Sequence, residues 1–143
     1  MSIPPLKILV AEDNEDDALL LQEAMGVSSR LKLVKVVNDG LETLAYLRRE
    51  GKFKDASSPQ LLLLDLNMPR KRGLEVLKEL KSEPGLRGLP VVVLTSSQRY
   101  EDAQASYEEG ACSFITKPNG LPGLVKMLQQ FEAYWLDVAH LPD

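Results

Sequence analysis

The stretch Leu61-Leu62-Leu63-Leu64-Asp65-Leu66-Asn67-Met68-Pro69-Arg70-Lys71-Arg72-Gly73 decides how the rest of the chain is read. Four leucines followed by an aspartate match a strand buried on both faces that ends in a charge. A parallel strand covered by helices on both sides reads as a continuous apolar run. Asp65 then stands at the carboxyl end of that strand, the edge where open parallel α/β sheets bind ligands. Pro69 and Gly73 stop the strand and turn the chain before the next helix. A single aspartate after a single strand also serves as an ordinary loop cap, so the other strand ends must decide.

Upstream, Lys7 to Ala11 is a short apolar strand that ends in Glu12-Asp13-Asn14-Glu15-Asp16-Asp17. Asn14 suits a helix cap, and the acids after it suit the positive end of a helix dipole. Ala18, Leu21 and Met25 supply the apolar stripe of that helix, widened by Leu20 and Ala24, and Gly26 ends it. Leu31 to Val37 partly alternates, as an edge strand does. Asn38-Asp39-Gly40 turns into a second helix with Leu41, Leu44, Ala45 and Leu47 as its apolar face, and Glu50 to Pro59 reads as a polar loop.

Downstream, a third helix is expected from about Leu74 to Lys81, broken by Glu83-Pro84-Gly85. Pro90 to Leu94 is a second fully buried strand ending in Thr95-Ser96-Ser97. Glu101 to Glu109 is a polar fourth helix closed by Gly110. Ala111 to Thr116 is a fifth strand ending in Lys117-Pro118, and a last helix starts near Leu121 and runs to about Ala139. Strand and helix alternate five times, so the expected fold class is α/β, a doubly wound five-stranded parallel sheet with five helices.

Composition narrows the chemistry. A chain of 143 residues suits one domain with a core of its own. Cys112 is the only cysteine and His140 the only histidine, which argues against a disulfide framework, a zinc cage or a histidine triad. A net charge of −4 lacks the basic footprint of a nucleic-acid-binding domain. No apolar run is long enough to span a bilayer, and the amino terminus lacks the apolar core of a secretion signal. A cytoplasmic protein with no nucleic-acid or membrane partner is expected.

The strand ends, taken together, form a constellation. They are Glu12 and Asp13, then Asp65, then Thr95 with Ser96, then Lys117. The fold brings all of them to one edge. Carboxylates gathered there repel one another and need a cation, and hard oxygen ligands suit Mg2+. A hydroxyl and an ammonium can hold an anion beside the metal. A nucleophilic carboxylate so surrounded fits a phosphoryl group, since phosphoryl transfer depends chiefly on stabilising spread charge.

This set resembles the receiver domain of bacterial two-component response regulators. Asp65-Leu-Asn-Met-Pro with a glycine shortly after, Val-Leu-Thr95-Ser, and Thr-Lys117-Pro118 are similar to that family's motifs and stand in its order. The resemblance covers roughly Leu6 to Phe131. Asp-Leu-Asn-Met-Pro-Arg-Lys and the Tyr134-Trp135-Leu136 tail further resemble the single-domain regulators that work with phytochrome-type sensor kinases.

The resemblance implies a sheet order of 2-1-3-4-5 and a role for each matched residue. Asp65 accepts phosphate from a kinase histidine. Glu12, Asp13, Asp65 and the backbone carbonyl of Asn67 bind Mg2+. Lys117 pairs with Asp65 and then with the phosphoryl group, and Thr95 moves to bond a phosphoryl oxygen. Phe114 occupies the aromatic switch position and turns inward when Thr95 moves. Pro118 follows a cis peptide, which proline tolerates better than other residues. Two departures stand out: the family often has an acid where this chain has Arg72, and its acidic pair is here Glu12-Asp13.

The expected output follows from what remains. After Leu121 only one helix and a short tail are left, so no output domain is expected, and the output is a surface change read by a partner or phosphate passed on to another histidine. Leu124, Leu128, Phe131, Trp135 and Val138 recur at helical spacing. Receiver domains end about where Phe131 lies. The segment of about residues 132–143 is therefore read as an extension of a single receiver domain spanning 1–143. Its apolar residues would stay exposed in a monomer, which points to a homodimer built on the fourth helix, fifth strand, fifth helix and tail, the alternative being a tail folded back on its own domain.

Three other readings compete with this one. An aspartate-nucleophile phosphatase of the haloacid-dehalogenase type shares the residue set, but its nucleophile follows the first strand. A flavodoxin-type module needs a hydroxyl- and glycine-rich phosphate loop where this chain has Glu12-Asp13-Asn14-Glu15. A receiver-like scaffold that is never phosphorylated would not need the complete acceptor set.

Overall fold

The computed structural model describes residues 4–142. Five strands, β1 (Leu6–Ala11), β2 (Leu31–Val37), β3 (Leu61–Leu64), β4 (Val91–Thr95) and β5 (Ser113–Thr116), form one parallel sheet in the order β2-β1-β3-β4-β5. The helices are α1 (Glu15–Gly26), α2 (Gly40–Arg48), α3 (Gly73–Ser82), α4 (Tyr100–Glu108) and α5 (Gly120–Ala133). This is the doubly wound fold expected from the alternation of apolar runs and caps.

The Asn14 cap stands where the sequence placed it, and the structure adds a second cap at Asp39. The Asn14 side chain accepts a hydrogen bond from the Asp17 amide, and Asp39 accepts one from the Glu42 amide at the start of α2. Each satisfies an amide that has no partner within its own helix. The four leucines of β3 are completely buried, because one layer of helices covers each face of the sheet. Leu62 and Leu64 belong to one core, with Val76, Leu77 and Leu80 of α3. Leu61 and Leu63 belong to the other, with Leu21 of α1 and Leu124, Leu128 and Phe131 of α5.

Three details differ from expectation. In α2, Thr43 and Tyr46 face inward while Leu41 is exposed. The Thr43 hydroxyl donates to the Asp39 carbonyl at 2.8 Å. The Tyr46 hydroxyl donates to the Ser57 carbonyl at 2.7 Å, and its ring packs on Phe53. The loop before β3 contains a 3-10 turn, Gly51–Phe53, that buries Phe53. Helix α5 does not continue unchanged to its end but passes into a π-helical turn, Tyr134–Val138.

That turn corrects one expectation, that the apolar residues of the tail all stay exposed in a single copy. Trp135, Leu136 and Leu141 pack against the core on the α1/α5 side, so a single copy already half-buries Trp135. Arg30, in the loop before β2, holds the turn through both carboxylate oxygens of Asp137, at 2.5 and 3.2 Å. The Ser28 hydroxyl donates to Glu132 at 2.9 Å. What stays exposed is Tyr134 and Val138.

Candidate phosphoryl and metal site

The carboxyl edge gathers residues from every inner strand. β1 runs directly into Glu12 and Asp13, β3 into Asp65, and β4 ends on Thr95. Parallel pairing fixes their level: Ala11 stands beside Leu64, and the Asp65 amide donates to the Ala11 carbonyl at 3.1 Å. Carboxylate oxygens of Glu12, Asp13 and Asp65 all lie within 4.8 Å of one another. Glu12 and Asp65 are buried, and Asp13 is open to water.

One ammonium serves this cluster. Lys117 Nζ donates to Asp65 Oδ2 at 3.1 Å, to Asp17 Oδ2 at 3.0 Å and to Glu12. Burial works against the charge of Lys117, but the Glu12 hydrogen bond and the charge of Asp65 outweigh it and hold the ammonium above the usual lysine value. Burial pushes Glu12 up to about 7 despite the Lys117 hydrogen bond, and the charge of Asp65 adds to the rise. A single ammonium therefore leaves this acidic edge short of positive charge. Three oxygen donors in that state fit a small hard cation.

Backbone amides orient the carboxylates. The Asn67 amide donates to Asp65 Oδ1 at 3.2 Å, and the Asn14 amide donates to Glu12 Oε2 at 3.1 Å. The other oxygen of Asp65 is the one that meets Lys117. Gly73 closes the acceptor loop by donating its amide to the Leu66 carbonyl at 3.0 Å. A Cβ at Gly73 would lie 2.4 Å from the Asp65 carbonyl oxygen, so only glycine allows α3 to start this close to the acceptor.

Thr95 is fully buried. Its carbonyl accepts the Lys117 amide at 2.7 Å, which sets the lysine backbone, and its hydroxyl accepts a weak bond from the Ser97 amide at 3.5 Å. Phe114 pairs with Val93 across β4 and β5, lies half-buried, and donates its amide to the Tyr107 hydroxyl at 3.1 Å. The Lys117–Pro118 peptide is trans, as are all peptides among the described residues, which corrects the cis expectation at Pro118. Trans is the lower-energy isomer even before proline. From it Lys117 already reaches the carboxylates, while the Pro118 ring occupies space that a Cβ on Gly123 would enter at 2.9 Å.

Two contributors escaped the sequence reading. The sequence marks Asp17 as a helix-dipole acid, yet it is the third carboxylate on Lys117. The signal was present in its spacing, since a cap at Asn14 puts Asp17 on the first turn of α1. The sequence marks Asp39 as a turn residue, and in the structure it binds Arg70 of the acceptor loop. A cavity of about 250 Å3 opens beside the cluster, lined in part by Glu12, Asp17, Ser96, Lys117 and Asn119. A larger one of about 650 Å3, lined in part by Pro4, Lys7, Gln60 and Pro90, lies at the opposite edge of the sheet and contains none of these groups.

Comparison with known proteins agrees with this geometry. Residues 8–129 match the family model described as response regulator receiver domain. The chain is 42% identical over 141 residues to response regulator Rcp1 of Synechocystis sp., covering 99% of this chain and 96% of that protein. The Mn2+-bound crystal form of Rcp1 superposes with a TM-score of 0.86 at 41% identity, covering 97% of this chain and 100% of that one. The phosphorylated cyanobacterial phytochrome response regulator RcpA superposes with a TM-score of 0.89 at 44% identity, covering 97% and 99% of the two chains. RPA3017, a response regulator in red light signaling of R. palustris, gives 0.88 at 32% identity, covering 99% of each chain.

Proposed function

Because the chain belongs to the response regulator receiver family, we propose that Asp65 accepts a phosphoryl group from the phosphohistidine of a sensor kinase. The observation that carries this is the position of Asp65: buried at the end of β3, one oxygen on Lys117 and the carboxylates of Glu12 and Asp13 beside it. A carboxylate oxygen of Asp65 attacks phosphorus, the P–O bond forms, and the P–N bond breaks with its electron pair returning to the histidine nitrogen. The product is an acyl phosphate.

Glu12, Asp13, Asp65 and the backbone carbonyl of Asn67 are the groups that would hold Mg2+. When bound, the ion offsets the negative charge that collects on the phosphoryl oxygens. Lys117 shares that task as a fixed cation. Thr95 turns its hydroxyl to a phosphoryl oxygen, and Phe114 moves inward behind it on β5. The domain is thus a switch that assists its own phosphorylation and dephosphorylation. Two relatives support the assignment, one crystallised phosphorylated and one with Mn2+.

The partner proposed is a sensor kinase of the phytochrome type, since RcpA is a phytochrome response regulator and RPA3017 acts in red light signaling. No helix among the described residues is long and apolar enough to cross a membrane, which suits a cytoplasmic site of action. Residues 1–143 form one receiver domain, with about 132–143 as an extension that joins two copies. In favour of a homodimer, β5 is an edge strand with half-exposed side chains, and Tyr100 and Tyr107 of α4 are exposed beside it. A groove of about 490 Å3, lined in part by Ile115, Met127, Tyr134 and Trp135, adds apolar surface to the same face.

Two measurements test these assignments. Incubation with acetyl phosphate and Mg2+ is expected to leave acid-labile phosphate on the parent protein and none on Asp65→Asn; equal labelling of both would refute the acceptor assignment. Light scattering is expected to show a dimer for the intact protein and a monomer after truncation behind Phe131. Monomers in both cases at micromolar concentration would remove the dimer.

A further inference from the structure

The acceptor loop is anchored at a second place, away from the carboxylate cluster. Arg70 has φ +65°, in the left-handed region that ordinary side chains rarely adopt. Its guanidinium reaches across to the β2–α2 turn and donates to Asp39 Oδ2 from Nε at 3.0 Å and from a terminal nitrogen at 2.5 Å. Asp39 is buried, and its other oxygen is already taken by the Glu42 amide at 2.7 Å. The carboxylate is therefore a fixed post. Gly40 seats the neighbouring backbone against it, for a Cβ there would lie 2.0 Å from the Lys71 carbonyl oxygen.

We propose that Arg70, clamped to Asp39, is a positioning residue that holds the Asp65–Gly73 loop in register with the carboxylate cluster. The inference rests on the phosphoacceptor reading and adds to it a residue that touches neither phosphate nor metal. The loop's other restraints flank its tip: Leu66 and Met68 are buried in the core under α3, and the Lys71 ammonium bonds Glu79 of α3. Inward, the Asn67 amide is tied to Asp65 and the Gly73 amide to Leu66. Between these points Asn67 is exposed, and Arg70 is the residue that ties the tip of the loop to another element through a buried partner. A fully exposed ion pair would contribute little. Here one partner is buried and doubly bonded, so the guanidinium is guided to one position.

The choice of arginine at a left-handed position supports this role. Glycine adopts φ near +65° without steric cost, whereas arginine adopts it against a penalty. The ion pair with Asp39 offsets that penalty. Backbone shape alone would be served as well or better by glycine.

This contrast supplies the test. Arg70→Gly keeps the backbone preference and removes the clamp. Asp39→Asn keeps a side chain able to cap α2 and removes the charge. Arg70→Lys restores a cation. Mg2+ affinity measured by titration calorimetry is expected to fall roughly tenfold in Arg70→Gly and in Asp39→Asn, as for groups that orient metal ligands, and to recover in large part in Arg70→Lys. The double variant is expected to bind no more weakly than either single one, since both remove the same contact. The amide resonance of Asn67 in the metal-free protein is expected to move in the same two single variants. Mg2+ binding and an Asn67 resonance in Arg70→Gly equal to those of the parent would overturn the clamp while leaving Asp65 as acceptor. A parent protein that takes up neither Mg2+ nor phosphate would overturn the acceptor reading and the clamp together.

Discussion

Lys117 Nζ stands 3.1 Å from Asp65 Oδ2 and so joins the ends of β5 and β3, two strands separated in the sheet by β4. Thr95 ends the strand between them, and its carbonyl holds the Lys117 amide. Acceptor, hydroxyl and cation are thus three successive positions along one edge. A phosphoryl group on Asp65 would add charge within reach of the ammonium.

The lysine is expected to hold two roles that one substitution separates. Lys117→Ala removes the ammonium that competes with Mg2+ for Glu12 and Asp65. A unit-charge pair at about 4 Å is worth roughly 1 kcal/mol in water and roughly 4 kcal/mol near a protein surface. Mg2+ affinity by calorimetry should therefore rise by about tenfold. Phosphate uptake from acetyl phosphate should fall by roughly a hundredfold, because a donor aimed at developing charge is lost.

Thr95→Ala should separate phosphorylation from its read-out. The hydroxyl makes only a long bond to the Ser97 amide, so its removal leaves the acceptor cluster in place. The variant is expected to take up phosphate while the Phe114 ring resonances stay where they are in the unphosphorylated protein. Equal shifts in parent and variant would exclude a Thr95–Phe114 coupling.

Gly73→Ala and Gly26→Ala should differ sharply in stability. A Cβ at Gly73 meets the Asp65 carbonyl oxygen at 2.4 Å and the Leu66 Cα at 2.7 Å, both backbone atoms that cannot move aside alone. Urea denaturation should show a loss of roughly 3 kcal/mol, at the upper end for overpacking, with phosphate uptake impaired as well. Gly26 has open space around it at the end of α1, so alanine there should be neutral or stabilising by up to about 1 kcal/mol.

The Asp39–Arg70 pair carries a pH signature. Burial pushes the Asp39 carboxyl up, but the Glu42 amide and the Arg70 guanidinium outweigh it and hold it below the ordinary aspartate value of 3.8. A carboxyl lowered in the folded state stabilises the protein above its unfolded value, and that contribution is lost as pH falls through the folded value. The parent should therefore melt above Asp39→Asn near neutral pH, and the gap should close as pH falls below 3.8. A gap unchanged across that range would show that the pair contributes no ionic stabilisation.

The sequence by itself determined the strands, the cap at Asn14, and the set Glu12, Asp13, Asp65, Thr95 and Lys117 at one edge. These are local properties. Apolar runs such as Leu61–Leu64 and short polar caps state their own conformation, and parallel pairing then places the strand ends side by side. The structure alone decided that Asp17 joins Lys117, that Arg70 reaches Asp39, that the Lys117–Pro118 peptide is trans, and that Arg30 draws Asp137 and the Trp135 turn onto the domain. Each depends on how far one element stands from another and on which rotamer packing permits. Hydrophobic periodicity carries neither quantity, so these contacts become visible only when helices and loops are set against the sheet.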